Sequence, residues 1–159
     1  MSKVLVTYFS AEGNTAGVAE RLAEAIGADV FEIRPEKLYT KADLRWANPL
    51  ARCNKEKIGK KDVPVRGSVE NMEDYDVVFV GFHIWYAGAP NVVTTFLKGY
   101  DLAGKKIALF ATSGGSGMGK TAAKLQPIVP GAEIVGGRLV KTSEPTEELK
   151  AWAESLEIL

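Results

Sequence analysis

Three short runs constrain the fold of this chain more than any other feature: residues 3–9 (KVLVTYF), 76–82 (DVVFVGF) and 105–111 (KKIALFA). Each is dense in apolar residues without strict polar alternation and is rich in Val, Leu or aromatics. That is the pattern of strands buried on both faces of a parallel sheet. Two further runs, 28–34 (ADVFEIR) and 132–140 (AEIVGGRLV), read as weaker strands. Gly136 and Gly137 interrupt the second, where they weaken pairing or mark a bulge.

Between the strands the apolar period lengthens. Val18, Leu22 and Ile26 repeat every fourth residue across 14–26, one face of a helix that stops at Gly27. Pro90 opens a second helix at its first turn, with Val93, Phe96, Leu97 and Tyr100 on one side. A third is expected from about Gly117 to Gln126, before Pro127. The last, 144–157, is expected to start at Ser143, with Glu147 behind it, and to bury Leu149, Trp152 and Leu156. Helices that follow four of five strands make right-handed βαβ crossovers, so the expectation is a doubly wound five-stranded parallel sheet in a three-layer α/β/α sandwich. Residues 35–75 carry no period, and read either as a short helix with long loops or as a functional flap.

The 159 residues, 46% of them hydrophobic, fit a single domain spanning 1–159 that can bury a core without disulfides or metal. The one cysteine, Cys53, has no internal partner, which agrees with a reducing compartment, and the cytoplasm is the default location. The apolar run near the N-terminus is too short for a secretory leader, and no stretch approaches the roughly 20 apolar residues that span a bilayer. Twenty basic residues balance twenty acidic ones, so no net field attracts nucleic acid or an anionic membrane.

Three loops that follow strands are unusual, and in a parallel sheet such loops share one edge. The first, Ser10-Ala11-Glu12-Gly13-Asn14-Thr15, joins the first strand to the first helix with hydroxyl and amide side chains, a glycine and no Lys or Arg. It has the makings of an anion cradle, in which backbone N–H groups and the helix dipole hold a phosphate. Taken alone, the same residues would serve as ordinary helix caps. The second loop, His83 to Pro90, places Ile84 and the adjacent aromatics Trp85 and Tyr86 ahead of Ala87 and Gly88. Neighbours in an extended segment point to opposite sides, so at least one ring faces the edge, where a flat heterocycle could stack. His83, the chain's single histidine, has no carboxylate or cysteine cluster beside it in sequence and reads as structural. No metal site and no catalytic acid, base or nucleophile is indicated.

The third loop, from Thr112 and Ser113 through Gly114, Gly115, Ser116 and Gly117 to Gly119, has four glycines in the six positions 114–119 and can bring backbone donors close to a planar group. Residues 114–121 (GGSGMGKT) also match the G-x-x-x-x-G-K-[ST] pattern of nucleotide triphosphatases. That chemistry needs an aspartate at another strand end to help hold magnesium, and the strands end in Phe9-Ser10, Ile33-Arg34, Gly81-Phe82 and Leu139-Val140. A triphosphatase is therefore the remote alternative.

The three loops together resemble the flavodoxin family, in its short-chain branch. YFSAEGNT is similar to the family's phosphate loop, S/T-x-T-G-x-T, with Ser10, Gly13 and Thr15 matching. GFHIWYAGAP resembles the loop that lays an aromatic on the isoalloxazine ring, and ATSGGSG resembles the glycine-rich third loop. The likeness extends along essentially the whole chain. The resemblance implies strand order 2-1-3-4-5 with flavin mononucleotide (FMN) at the strand-order reversal, a rule for which flavodoxin is itself a type example. It further implies that Ser10, Gly13, Asn14, Thr15 and Ala16 hold the phosphate, and that Trp85 or Tyr86 stacks. Ser113 to Gly117 would then line the pyrimidine side. Glu12 stands where a small hydroxyl residue is common and is expected to turn to solvent. The Ala87-Gly88 peptide is expected to flip on one-electron reduction, since glycine tolerates the positive φ that this needs.

The function implied is electron transfer, the flavin cycling between oxidised, semiquinone and hydroquinone states, with redox partner proteins or a small acceptor as partners. The alternative is an FMN-dependent NAD(P)H:quinone-type oxidoreductase. In that case 35–75, with Tyr39, Trp46, Arg52 and Asn54, would form a lid. A solvated loop would explain the segment equally well.

Overall fold

The computed structural model describes residues 3–10, 14–35, 40, 44, 47, 52, 65–84, 89–113, 118 and 121–159. Five parallel strands form the central sheet: β1 (Val4–Tyr8), β2 (Asp29–Glu32), β5 (Val77–His83), β6 (Lys106–Thr112) and β7 (Glu133–Leu139), in the order β2-β1-β5-β6-β7. These are the five strands expected from sequence, in the expected spatial order. A separate antiparallel ribbon pairs β3 (Arg34–Pro35) with β4 (Val65–Arg66). The described helices are α1 (Asn14–Ile26), α2 (Asn91–Lys98), α3 (Thr121–Leu125) and α4 (Thr146–Ser155).

Alternation along the strands sends successive side chains to opposite faces, and both faces are buried. Val4, Val6, Tyr8, Val77, Phe79, Ala108 and Phe110 face a core completed by Val18 and Leu22 of α1 and Leu149 and Ala153 of α4. Leu5, Val78, Val80, Phe82, Ile107, Leu109 and Ala111 face the other, with Val92, Val93, Phe96 and Leu97 of α2 and Leu125 of α3. The result is three layers, helices on each side of the sheet. α1 ends at Gly27, where φ is +68° and Ala28 N–H reaches back to the Ala23 carbonyl at 2.9 Å, a left-handed stop that glycine makes at least cost.

Gly81 of β5 pairs with Phe110 of β6, and a Cβ on Gly81 would come within 2.2 Å of the tip of the Phe110 ring. Bare backbone here leaves room for that ring against the neighbouring strand. The weak final strand contains the expected irregularity: Ile107 pairs with Ile134, but Ala108 pairs with Gly136, so Val135 is the extra residue of a bulge. A Cβ on Gly137 would come within 2.9 Å of the Met118 methyl, so its absence makes room for that side chain from the β6 loop.

Two expectations need correction. α4 begins at Thr146, its N-cap is Pro145, and no side chain caps it, so the helix does not start at Ser143. Pro145 fixes the backbone just before the helix and offers neither a side-chain acceptor nor an N–H for capping. Leu149 is nonetheless fully buried, and Trp152 and Leu156 pack against the same core. The third helix does not run from 117: Met118 is non-helical and α3 starts at Thr121. It passes after Leu125 into a 3-10 turn, Gln126–Ile128, because Pro127 cannot continue the α ladder. Within 35–75 the described residues include two short elements. The ribbon ties Pro35 to Val65, and a 3-10 turn at Met72–Asp74 helps deliver Val69, Met72 and Tyr75 to the core. Of the lid candidates, Arg52 is half-buried, while Tyr39, Trp46 and Asn54 lie outside the described residues.

Candidate functional site

β1, β5 and β6 run parallel, so Tyr8, His83 and Thr112 end on one edge of the sheet. The chain leaves β1 toward β2 and returns on the far side of β1 to build β5, so the order reverses between β1 and β5, the crevice where ligands of doubly wound folds bind. Backbone bonds extend the ladder into the loops: Phe9 N–H to the Gly81 carbonyl at 2.9 Å, Ile84 N–H to the Thr112 carbonyl at 2.9 Å, and Val140 N–H to the Ala111 carbonyl at 2.8 Å. The positions where the loops depart are thereby fixed to the rigid sheet.

Two of these loops are tied together by side chains. The Thr15 and Thr112 hydroxyl oxygens lie 3.0 Å apart, and Thr112 Oγ1 is also 3.0 Å from His83 Nδ1. His83 and Thr112 are register partners, and each projects to the α1 side of the sheet by the alternation that sends Phe79 and Phe110 there. Thr15 lies in the first turn of α1 and is buried, as is Thr112. The start of α1 and the ends of β5 and β6 thus meet in one hydrogen-bonded row directly beneath the loop edge.

Ser10 differs. Its hydroxyl oxygen is buried and has no hydrogen-bond partner among the described residues. Leaving such a group unsatisfied costs about 1–3 kcal/mol, which a ligand oxygen seated over the loop would relieve. The first-turn N–H groups of α1 have no partners within the helix, and the dipole of this 13-residue helix favours an anion at its N-terminus. The residues present therefore fit a phosphate.

Ser10, Thr15, Ala16, Ile84, Thr112 and Ser113 of the expected site are placed along this edge or just behind it. Ile84 is buried in the core on the α2 side, so its side chain acts as an anchor for the second loop. Glu12, Gly13, Trp85, Tyr86, Ala87, Gly88, Gly114, Gly115, Ser116 and Gly117 lie outside the described residues, as does the side chain of Asn14. Sequence reasoning treated His83 as structural and missed its bond to Thr112. The signal was the alignment of two strand ends, visible only once the register is known.

Nearby charge is modest. Tyr8 at the end of β1 has its phenol pKa raised, first by burial and then by Glu32 on the adjacent strand, so it stays a neutral hydroxyl. Glu32 itself pairs with Arg34 at 2.5 Å in an exposed ion pair. Among the described residues no group of three or more His, Cys, Asp or Glu could hold a metal ion, and no helix is long and apolar enough to cross a membrane. Within the triphosphatase-like motif, the hydroxyl of Thr121 is already engaged. The buried Thr121 hydroxyl, which would have to reach magnesium, donates to the Met118 carbonyl, and Thr121 N–H points to the same oxygen at 3.1 Å.

The flavodoxin family profile matches residues 3–156. A crystal structure of a candidate flavoprotein from Bacteroides eggerthii DSM 20697 is similar at 39% identity and TM-score 0.90, covering all of both chains. Another candidate flavoprotein, from Bacteroides uniformis ATCC 8492, is 37% identical with TM-score 0.90, over 96% of this chain and 98% of its own. A flavoprotein from Lactobacillus acidophilus NCFM, solved in complex with FMN, shares the fold with TM-score 0.71 at 19% identity, over 96% and 99% of the two chains. No curated protein matches. With a profile match over nearly its full length and the doubly wound sheet that the match requires, the chain belongs to the flavodoxin family.

Proposed function

We propose that the chain is a short-form, FMN-binding electron-transfer protein of the cytoplasm. The observation that carries this reading is the buried Ser10 hydroxyl, without a hydrogen-bond partner among the described residues, where β1 gives way to α1, close in sequence to the Thr15 hydroxyl in the first helical turn. Ser10, the N–H groups of the first turn and the Thr15 hydroxyl hold the phosphate by hydrogen bonds and the helix dipole. Trp85 or Tyr86 stacks on the ring, and Thr112 to Gly117 line its pyrimidine side. FMN, when bound, supplies one- and two-electron chemistry, so the protein needs no acid, base or nucleophile of its own. The chain's own task is to fix the ring, exclude water from one side of it and leave an edge open to redox partner proteins.

A second reading, direct oxidation of NAD(P)H followed by quinone reduction, is favoured by one observation. The β3–β4 ribbon closes the base of segment 36–64 just beyond the end of β2, on the ligand edge, where a substrate pocket would need a wall. Anaerobic mixing of the FMN-loaded protein with NADH or NADPH separates the two. A carrier stays yellow until a reductase is added, and rapid bleaching by the nicotinamide alone would replace the carrier with the oxidoreductase.

A further inference from the structure

We propose that His83 is a positioning residue for the ligand's phosphate, acting through Thr112 and Thr15 as a one-way row of hydrogen-bond donors. The inference rests on the phosphate reading given above for Thr15.

Counting protons makes the direction obligatory. A threonine hydroxyl has one proton and two acceptor lone pairs, and a phosphate dianion only accepts. To bind phosphate, Thr15 must give that oxygen its single proton. At the 3.0 Å contact with Thr112 it must then accept, so the Thr112 proton goes to Thr15. Thr112 has no second proton for His83, 3.0 Å away on its other side, so Nδ1 of His83 must carry a hydrogen and donate. Each of the three groups is left one role. Without phosphate the row is free to run the other way, from Thr15 to Thr112 to an unprotonated Nδ1. Binding therefore fixes both hydroxyls in one direction and requires Nδ1–H on the imidazole, either as the Nδ1–H tautomer, Nδ1 taking a proton from water while Nε2 returns one, or as the imidazolium, with one proton taken from water. No covalent bond to the ligand forms or breaks.

The geometry suits such a relay. His83 and Thr112 are cross-strand partners at the ends of β5 and β6, both held in the sheet ladder, and Thr15 is locked in the first turn of α1. Both hydroxyls are buried, so water competes poorly for their protons.

The chain has one histidine, which makes the test direct. Imidazole nitrogen shifts of the whole protein, labelled with 15N-histidine, are recorded at one pH for three samples: apoprotein, apoprotein with riboflavin, and FMN-loaded protein. The relay predicts a protonated, pyrrole-type Nδ1 with FMN, and less of it with riboflavin, which lacks the phosphate. A bare, imine-type Nδ1 in the FMN-loaded protein overturns it.

Binding provides a second readout. Thr112→Val should lower the preference for FMN over riboflavin on the order of tenfold, as should His83→Phe, while His83→Asn, with an amide N–H near the Nδ1 position, restores most of it. An unchanged preference in Thr112→Val and His83→Phe overturns the relay. Failure of the unaltered protein to prefer FMN overturns the phosphate reading itself, an outcome distinct from FMN preference with a bare Nδ1.

Discussion

The hydroxyl oxygens of Thr15 and Thr112, 97 residues apart in the chain, lie 3.0 Å from one another and join the first turn of α1 to the end of β6. The pair links the loop proposed to hold the phosphate to the loop proposed to line the ring, so a change at either threonine is expected to be felt by both. Thr15→Val keeps the shape and removes the proton offered to the phosphate. It is expected to weaken FMN binding by about 1.5–3 kcal/mol, roughly ten- to a hundredfold, with a much smaller effect on riboflavin. Parallel fluorescence titrations of the two flavins measure the difference, and equal losses for both would assign Thr15 to the fold alone.

Gly81 and Phe110 make a stability prediction independent of the ligand. Since a Cβ at 81 would come within 2.2 Å of the Phe110 ring, Gly81→Ala should cost about 1–3 kcal/mol through overpacking. In a Phe110→Leu background the same change should cost less, because the two residues share one space. Urea denaturation of the four proteins in the cycle gives both values, and simple additivity would contradict the contact.

Much of this architecture is written locally in the chain. Val77, Phe79, Val78, Val80 and Phe82 alternate between two buried faces, which is why 76–82 reads as a continuous apolar run. Elements fixed by distant contacts are not readable in that way. The two-residue strands at Arg34–Pro35 and Val65–Arg66 are too short to show any period, and Ser143 reads locally as a helix start although Pro145 takes the N-cap position. At the site, Ser10 and Thr15 stand out through loop composition. The His83–Thr112 bond depends on the register of β5 against β6, which no local pattern encodes.

A carboxyl pair at the start of α4, Glu144 just before the helix and Glu148 in its first turn, gives a pH prediction. The hydrogen bond from Glu148 holds the buried Glu144 carboxyl below its ordinary value against the opposing effect of burial, while the same bond raises the pKa of Glu148. The stability from Glu144 is present above its unfolded pKa and is lost as pH falls through the lower folded value. The contribution from Glu148 has the opposite sense, being present while it is protonated and lost as pH rises through its raised folded value. Glu148→Gln supplies a permanent amide donor and removes one negative charge. It should raise the melting temperature at neutral pH by roughly 1 to 3 °C and flatten the loss of stability between mildly acidic and neutral pH. A melting temperature lowered at neutral pH would show that the two carboxyls do not share a proton.

The two loop aromatics have a distinct signature. Trp85→Ala or Tyr86→Ala should weaken flavin binding by roughly 1 to 3 kcal/mol, the range for losing one stacked ring. The substitution that most brightens bound-flavin emission identifies the ring in face contact. Lys120→Ala, by contrast, should leave flavin affinity unchanged. Magnesium-dependent ATP hydrolysis abolished by that change would restore the triphosphatase alternative.

The measurement that tests the central claim most directly is calorimetric titration of the apoprotein with FMN and with riboflavin under one set of conditions. The account predicts one FMN per chain, bound at least about tenfold more tightly than riboflavin, because the Ser10 and Thr15 hydroxyls and the start of α1 address the phosphate. Equal affinity for the two flavins, or no binding of either, would contradict it.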